Sequence, residues 1–264
     1  MNRSLSAWHG CFSVAIAALL ISCIVCTSEQ QAHAQTKKKL KFEVVSVKPS
    51  ISGVLQFQPQ RSGDRLQWQC VPLIKLIEYA YDIPIATIDG EVPLMMYDID
   101  AKVPPSATER NIKEMFQSLL EDRFAFRTHK ETREMPFLNL VISSGGHRLK
   151  PARDLQIPTI QGKPLPPNHV GEYSFSDGRH FAGAGVTLAQ IAIALADVLK
   201  QPVFDKTGIK GTFNLDVLHA KEGAVGGGAL LPIKTAIENN LGLRFEERVG
   251  PVEIMVIDHV EEPR

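Results

Sequence analysis

Apolar residues fall into two recurring spacings along the chain, and the order in which those spacings appear repeats. Leu73, Ile74, Leu76, Ile77, Ala80 and Tyr81 lie on one helical face, as do Leu188, Ile191, Ala192, Leu195, Val198 and Leu199. Steps of three and four are those of an amphipathic helix. Val71-Pro72-Leu73-Ile74 precedes Val186-Thr187-Leu188-Ala189 by 115 residues, so the two helices open at matching places. Pro84 and Pro202 stop them, since proline cannot continue a helix. Tyr97-Asp98-Ile99-Asp100 and, 116 residues on, Phe213-Asn214-Leu215-Asp216 alternate as strands do.

A second helix follows in each half. Ser106 and Glu109 have capping-box spacing ahead of Ile112, Met115, Phe116, Leu119 and Leu120. Pro232, at a first helical position, leads Ile233, Ala236, Ile237 and Leu241, and Gly242 closes the helix. Phe124-Ala125-Phe126-Arg127 and Leu241-Gly242-Leu243-Arg244, 117 residues apart, each open a hairpin with an apolar return strand at 137–142 and 252–257. Five matched elements in one order predict an α+β fold made by internal duplication. It comprises two small mixed-sheet subdomains with two helices each, at 35–150 and 171–264, joined by a Pro-rich linker at 151–170. The strand at 42–47 is expected to pair with the first half, and Gly223, Gly226, Gly227 and Gly228 to form a flexible loop.

The first 34 residues read as an export signal: Arg3, an apolar run at 11–26, then Ala32-His33-Ala34 ahead of a cut before Gln35. Leu20-Ile21-Ser22-Cys23 offers a rival lipobox, which would put a lipid on Cys23 and tether the product to a membrane. The expected product is secreted or periplasmic, or else a lipoprotein. Cleavage removes one charge of each sign and three of the four cysteines, leaving Cys70 and no intrachain disulfide. Such a chain must be held by its core. Charge is balanced, 29 Lys+Arg against 29 Asp+Glu with a pI of about 7.1. No global field would therefore draw it onto nucleic acid, or onto a membrane unless it is lipidated.

The candidate chemistry is sparse. Asp205-Lys206-Thr207-Gly208 echoes the aspartyl-phosphate motif of ion pumps and, with Ser176-Asp177-Gly178, the elements of penicillin-recognising enzymes, but no Ser-x-x-Lys occurs. A polar turn accounts for it. The histidines at 129, 147, 169, 180, 219 and 259 show no metal-ligand spacing, and no metal or other cofactor is expected. Ser143-Ser144-Gly145-Gly146-His147 gathers hydroxyls and an imidazole, but it reads as a strand leaving into a loop and not as a nucleophile elbow. Asp98, Asp100 and Asp216 could face a cleft as an acid/base pair, although alternating strand positions more often face solvent. Of the aromatics, Trp68, Tyr79, Tyr81, Tyr97 and Tyr173 are the candidates for ligand contact, with Trp68 and Tyr81 read as inward-facing. Open strand edges are a further surface, since they accept extended partner segments.

The segments FEVVSVKPS (42–50), SLLEDRFAFRTHKETREMPFLNLVIS (118–143), GVTLAQIAIALADVLKQPVFDKTGIKGTFNLDV (185–217) and GPVEIMVIDHVEEP (250–263) together resemble a family of exported soil-bacterial proteins known as a domain of unknown function. The resemblance implies an envelope address and a two-part layout, and brings no catalytic residues. In some relatives a similar domain sits beside a membrane-bound metallopeptidase sensor, which implies a sensory or binding role. Residues 173–258 also resemble the short N-terminal domain of secretins and TonB-dependent receptors, modules that bind partner proteins. The reading that follows is a non-enzymatic binding module of the cell envelope, contacting an envelope protein or wall polymer and no nucleic acid. The alternative is an extracytoplasmic hydrolase with Asp98, Asp216 or His147 in a cleft between the halves. A third is a passive spacer without groove or patch.

Overall fold

Alternation at 65–72 becomes a strand because every second residue, Leu66, Trp68 and Cys70, is buried. The computed structural model describes residues 39–263 apart from 52, 54, 55, 57, 155, 161 and 222–229. The leader with Cys23, and the glycines of the expected loop at 223–228, lie outside the described residues. The first half runs β1 (Val44–Pro49), β2 (Gln60–Ser62), β3 (Arg65–Pro72), α1 (Leu73–Tyr81), β4 (Ile88–Asp89), β5 (Met96–Lys102), α2 (Glu109–Phe124) and β6 (Arg127–Ile142). A small hairpin, β7 (Thr159–Ile160) and β8 (Lys163–Pro164), lies in the Pro-rich connector. The second half runs β9 (His169–Ser174), β10 (Arg179–Val186), α3 (Leu188–Leu199), β11 (Val203–Asp205), β12 (Phe213–His219), α4 (Ile233–Leu241) and β13 (Leu243–His259). The fold is α+β. Among the described residues no helix is long and apolar enough to cross a membrane.

From β3 to β6 and from β10 to β13 the succession is the same: strand, helix, short strand, strand, helix, long strand. The local geometry recurs too. Cys70 and Gly185, each three residues before a helix, take left-handed backbone (φ 53° and 65°) at a break in register. The neighbouring strand clamps each one: Asp98 Oδ1 accepts the Cys70 N–H at 2.8 Å, and Asn214 Oδ1 accepts the Gly185 N–H at 2.7 Å. The helices end alike, at left-handed caps Asp82 and Lys200, then Ala125 and Gly242. Gly242 is required there, because a Cβ would fall on the Gly146 carbonyl oxygen.

The sheets are not divided one per half. β1-β5-β3-β2 forms an antiparallel sheet in the first half and β12-β10-β9 a second in the other, so the opening strand pairs as expected. The third, β11-β6-β13-β4, is mixed and shared. In it β6 and β13 pair antiparallel from Arg127↔His259 to Ile142↔Leu243, and each short strand runs parallel to the long strand of the opposite half. The expected hairpins at 124–142 and 241–257 are therefore absent, each replaced by one long strand. The polar run 127–134 holds no glycine, asparagine or proline to reverse it, and Pro136 and Gly250-Pro251 sit at the crossing of the ribbon instead of making a turn.

Two cores result, each completed by the other half. Trp68, Tyr97, Phe116 and Phe124 pack with Met255 from β13, and Phe181, Ile191, Leu195 and Ile237 pack with Leu138 and Leu140 from β6. The centres of the apolar stripes are buried as the pattern predicts, while Val198 at the edge of its stripe is half-buried and lines a groove. Two caps differ from the prediction. The box at α2 is Thr108 with Asn111, not Ser106 with Glu109, and Pro232 is the cap of α4 and not its first helical residue. Asn111 reaches back to the Thr108 N–H at 3.0 Å, the bond that glutamate would make in the usual box.

Candidate functional site

The fold turns the outer face of α1, polar at Lys75 and Glu78, toward an outer face of α3 that is mostly apolar apart from Gln190 and Asp197. Lys75, Glu78, Tyr79 and Asp82 form a stripe at helical spacing on α1, and Gln190, Ile193, Ala194, Asp197 and Val198 form one on α3. Between them lies a groove of about 580 Å³, within the ~300–1,000 Å³ of ligand sites. β9 forms a further wall, beside Glu109 and Lys113 of α2. Asn168, His169, Val170, Gly171 and Glu172 all line the groove. Five consecutive residues can line one cavity only along a strand's edge, because the faces of a strand alternate. Among the described residues β9 is an edge strand of its sheet, paired on its other side with β10. Gln58, from the loop before β2, closes one end by donating to the Asn168 carbonyl at 3.1 Å.

The floor is ionic and joins the halves. Lys75 Nζ lies 2.6 Å from Glu78 Oε2 and 2.5 Å from Asp197 Oδ2, and Asp197 Oδ1 accepts the Ile85 N–H at 3.2 Å. Burial pushes the Glu78 pKa up to about 8; Lys75 opposes the rise and Asp197 reinforces it. Burial works against the Lys75 ammonium, yet Glu78 and Asp197 outweigh it and raise its pKa. His169 is buried, and that burial, with Lys75 nearby, lowers its pKa to about 4, so it is a neutral imidazole. Beside it Arg179 Nη1 meets Glu172 Oε2 at 2.6 Å, and Glu172 Oε1 meets His219 Nε2 at 3.1 Å. His219 Nδ1 donates to the Ala220 carbonyl at 2.9 Å.

A second hollow, of about 780 Å³, lies by Tyr81, Phe126, Arg127, Asp258 and His259, where the His259 ring already pairs with Glu261 at 2.7 Å. Tyr81 of α1, Glu121 of α2 and the paired ends of β6 and β13 form its walls.

The residues singled out by sequence are dispersed. Asp98 holds the bulge at Cys70; Asp100 pairs with Arg65; Asp216 meets His180 Nδ1 at 2.8 Å on another sheet; His147 is exposed in the turn after β6. They share no cleft. Ser143, in that same turn, donates to Glu238 of α4 at 3.3 Å. Asp205 Oδ1 accepts the Thr207 N–H and hydroxyl at 2.9 and 2.7 Å, the polar turn expected at 205–208. Asp177 and Gly178 lie in the turn between β9 and β10, where Phe175 N–H meets the Gly178 carbonyl at 2.8 Å. Trp68 and Tyr97 are buried, Tyr81 and Tyr173 half-buried, and Tyr79 faces the groove. Among the described residues no three His, Cys, Asp or Glu side chains form a group able to hold a metal ion. Sequence reasoning passed over Lys75, Glu78 and Asp197. Their one signal is that the outer faces of the two matched helices are charged at Lys75 and Glu78 in one and Asp197 in the other.

No curated protein and no solved structure matches the chain. A protein-family model described as "Protein of unknown function (DUF3738)" matches residues 74–260, from the start of α1 through the whole of β13.

Proposed function

The chain belongs to that family of proteins of unknown function, a description that assigns no chemistry, and we propose from the groove that it binds an extended segment of a partner polypeptide by strand addition to β9. The observation that carries this reading is the run of five consecutive residues along the cavity, Asn168 and the first four of β9. Strand addition draws affinity from main-chain hydrogen bonds and specificity from pockets for alternate side chains. The groove offers both, an open edge and walls that mix Tyr79, Ile193 and Val198 with charge. A glycan fits less well, since it lacks the regular ladder of N–H and C=O groups an edge needs. We infer that the protein is exported and that its partner is an envelope protein, from the leader-like first 34 residues.

The test uses acetylated, amidated heptapeptides Thr-Val-Thr-X-Thr-Val-Thr and two N-methylated forms, each blocking alternate amides. A strand bound by one edge uses alternate N–H groups, so one methylated register should lose binding at least tenfold and the other should keep it. About three hydrogen bonds at roughly 0.5–1.5 kcal/mol each set that scale. Ala194→Phe, which fills the groove from α3, should abolish binding while leaving the circular dichroism spectrum unchanged. Equal binding by both methylated forms contradicts strand addition.

A hydrolytic reading has one observation in its favour: a carboxyl that keeps its proton at neutral pH, Glu78, beside Asp197. Mass spectrometry of the same peptides after long incubation tests it. Cleavage that disappears in Glu78→Gln would put this reading first.

A further inference from the structure

Strand addition fixes the backbone of the bound segment and leaves one side chain directed at the groove floor. Resting on that reading, we propose that this side chain is a lysine or arginine, whose cation joins Lys75 between Glu78 and Asp197. The floor is one positive charge short. Two carboxylates from two helices, with side chains 13% and 16% exposed, share one ammonium that is itself 42% exposed. The other charged groups of the groove do not make up the difference. On the α2 side Lys113 serves both Asp82, at 2.8 Å, and Glu109, at 3.9 Å. On β9 and β10, Arg179 is taken by Glu172, and His169 is neutral. Lys200 is exposed, past the C-terminal end of α3. Among the described lining residues five carboxylates therefore face four cations.

An unpaired buried carboxylate is costly, so in the free protein a proton supplies the missing charge on Glu78. An incoming cation takes the proton's place. The linkage has a definite sign. The bound state lowers the Glu78 pKa below its free value of about 8, so binding releases a proton below that pH and strengthens as pH rises toward it. A neutral or acidic side chain at the same position leaves the proton where it is.

Isothermal titration calorimetry of the protein with the heptapeptides carrying X as lysine, norleucine or glutamate tests this, at pH 6.5 and 8.5 in two buffers of different ionisation enthalpy. The lysine peptide should bind at least tenfold more tightly than the norleucine peptide at pH 8.5. Its affinity should fall about twentyfold at pH 6.5, with release of close to one proton near neutral pH, and the norleucine peptide should show neither effect. Glu78→Gln should remove the proton release, and Asp197→Asn should reduce the lysine preference should the first variant fold poorly. Equal binding of the lysine and norleucine peptides, sensitive to N-methylation, overturns the cation and leaves strand addition standing. Binding by none of the peptides overturns strand addition, and the cation with it.

Discussion

Cys70 and Gly185 show how single residues set this architecture. Each turns the backbone into the left-handed region just before a helix, and the amide this exposes is satisfied by one oxygen on the next strand, Asp98 or Asn214. Asn214 is buried and also donates to the Ala152 carbonyl at 3.2 Å, which ties the connector to the sheet. Asn214→Ala leaves the Gly185 N–H without that acceptor and should lower stability by about 1–3 kcal/mol in urea unfolding, whereas Leu218→Ala, at an exposed position of the same strand, should lose less. Equal losses would mean that the clamp does not matter. None of this was legible in the sequence. Asp98 and Asn214 sit in alternating segments, and alternation distinguishes the faces of a strand without showing that one side chain turns back to a bulge. The same holds for Glu78, whose pKa is raised by burial and further by Asp197, a residue over a hundred positions away.

The helices were legible because their pattern is local. The stripes on α1, α2, α3 and α4 bury most of the residues their periodicity selects, with Ile74, Tyr81, Val198, Leu199 and Ile233 half-buried. The long strands were not, because what keeps β6 straight is its partner β13, and pairing across more than a hundred residues leaves no periodic trace. Apolar runs at 137–142 and 252–257 look like return strands of hairpins when read alone. In the fold they are the ends of β6 and β13, and the end of β6 enters the second core through Leu138 and Leu140. Leu140→Ala should therefore cost about 2–5 kcal/mol, and its effect should appear as raised amide exchange in α3 and α4, the second half's own helices. Exchange raised in α1 and α2 alone would contradict the shared core. The candidate site follows the same rule: Lys75, Glu78 and Asp197 read as solvent-facing until the packing sets α1 against α3.

For the whole molecule, the exchange of long strands couples the two halves, and the groove lies where their matching helices meet the edge of β9. Such a site exists only when both halves are folded, since α1 and α3 each supply one side of its floor. An edge left open this way invites unwanted pairing, and β9 is bounded by helix faces that restrict what can approach it. That arrangement suits a receiver for one extended segment better than a passive spacer. The most direct test is hydrogen–deuterium exchange of β9 with and without the lysine heptapeptide. The account predicts that residues 168–174 gain protection on binding while β1 and β12, the edges of other sheets or the far side of the same one, do not change. Unchanged exchange in 168–174 with the peptide bound, or protection confined to another edge, would contradict it.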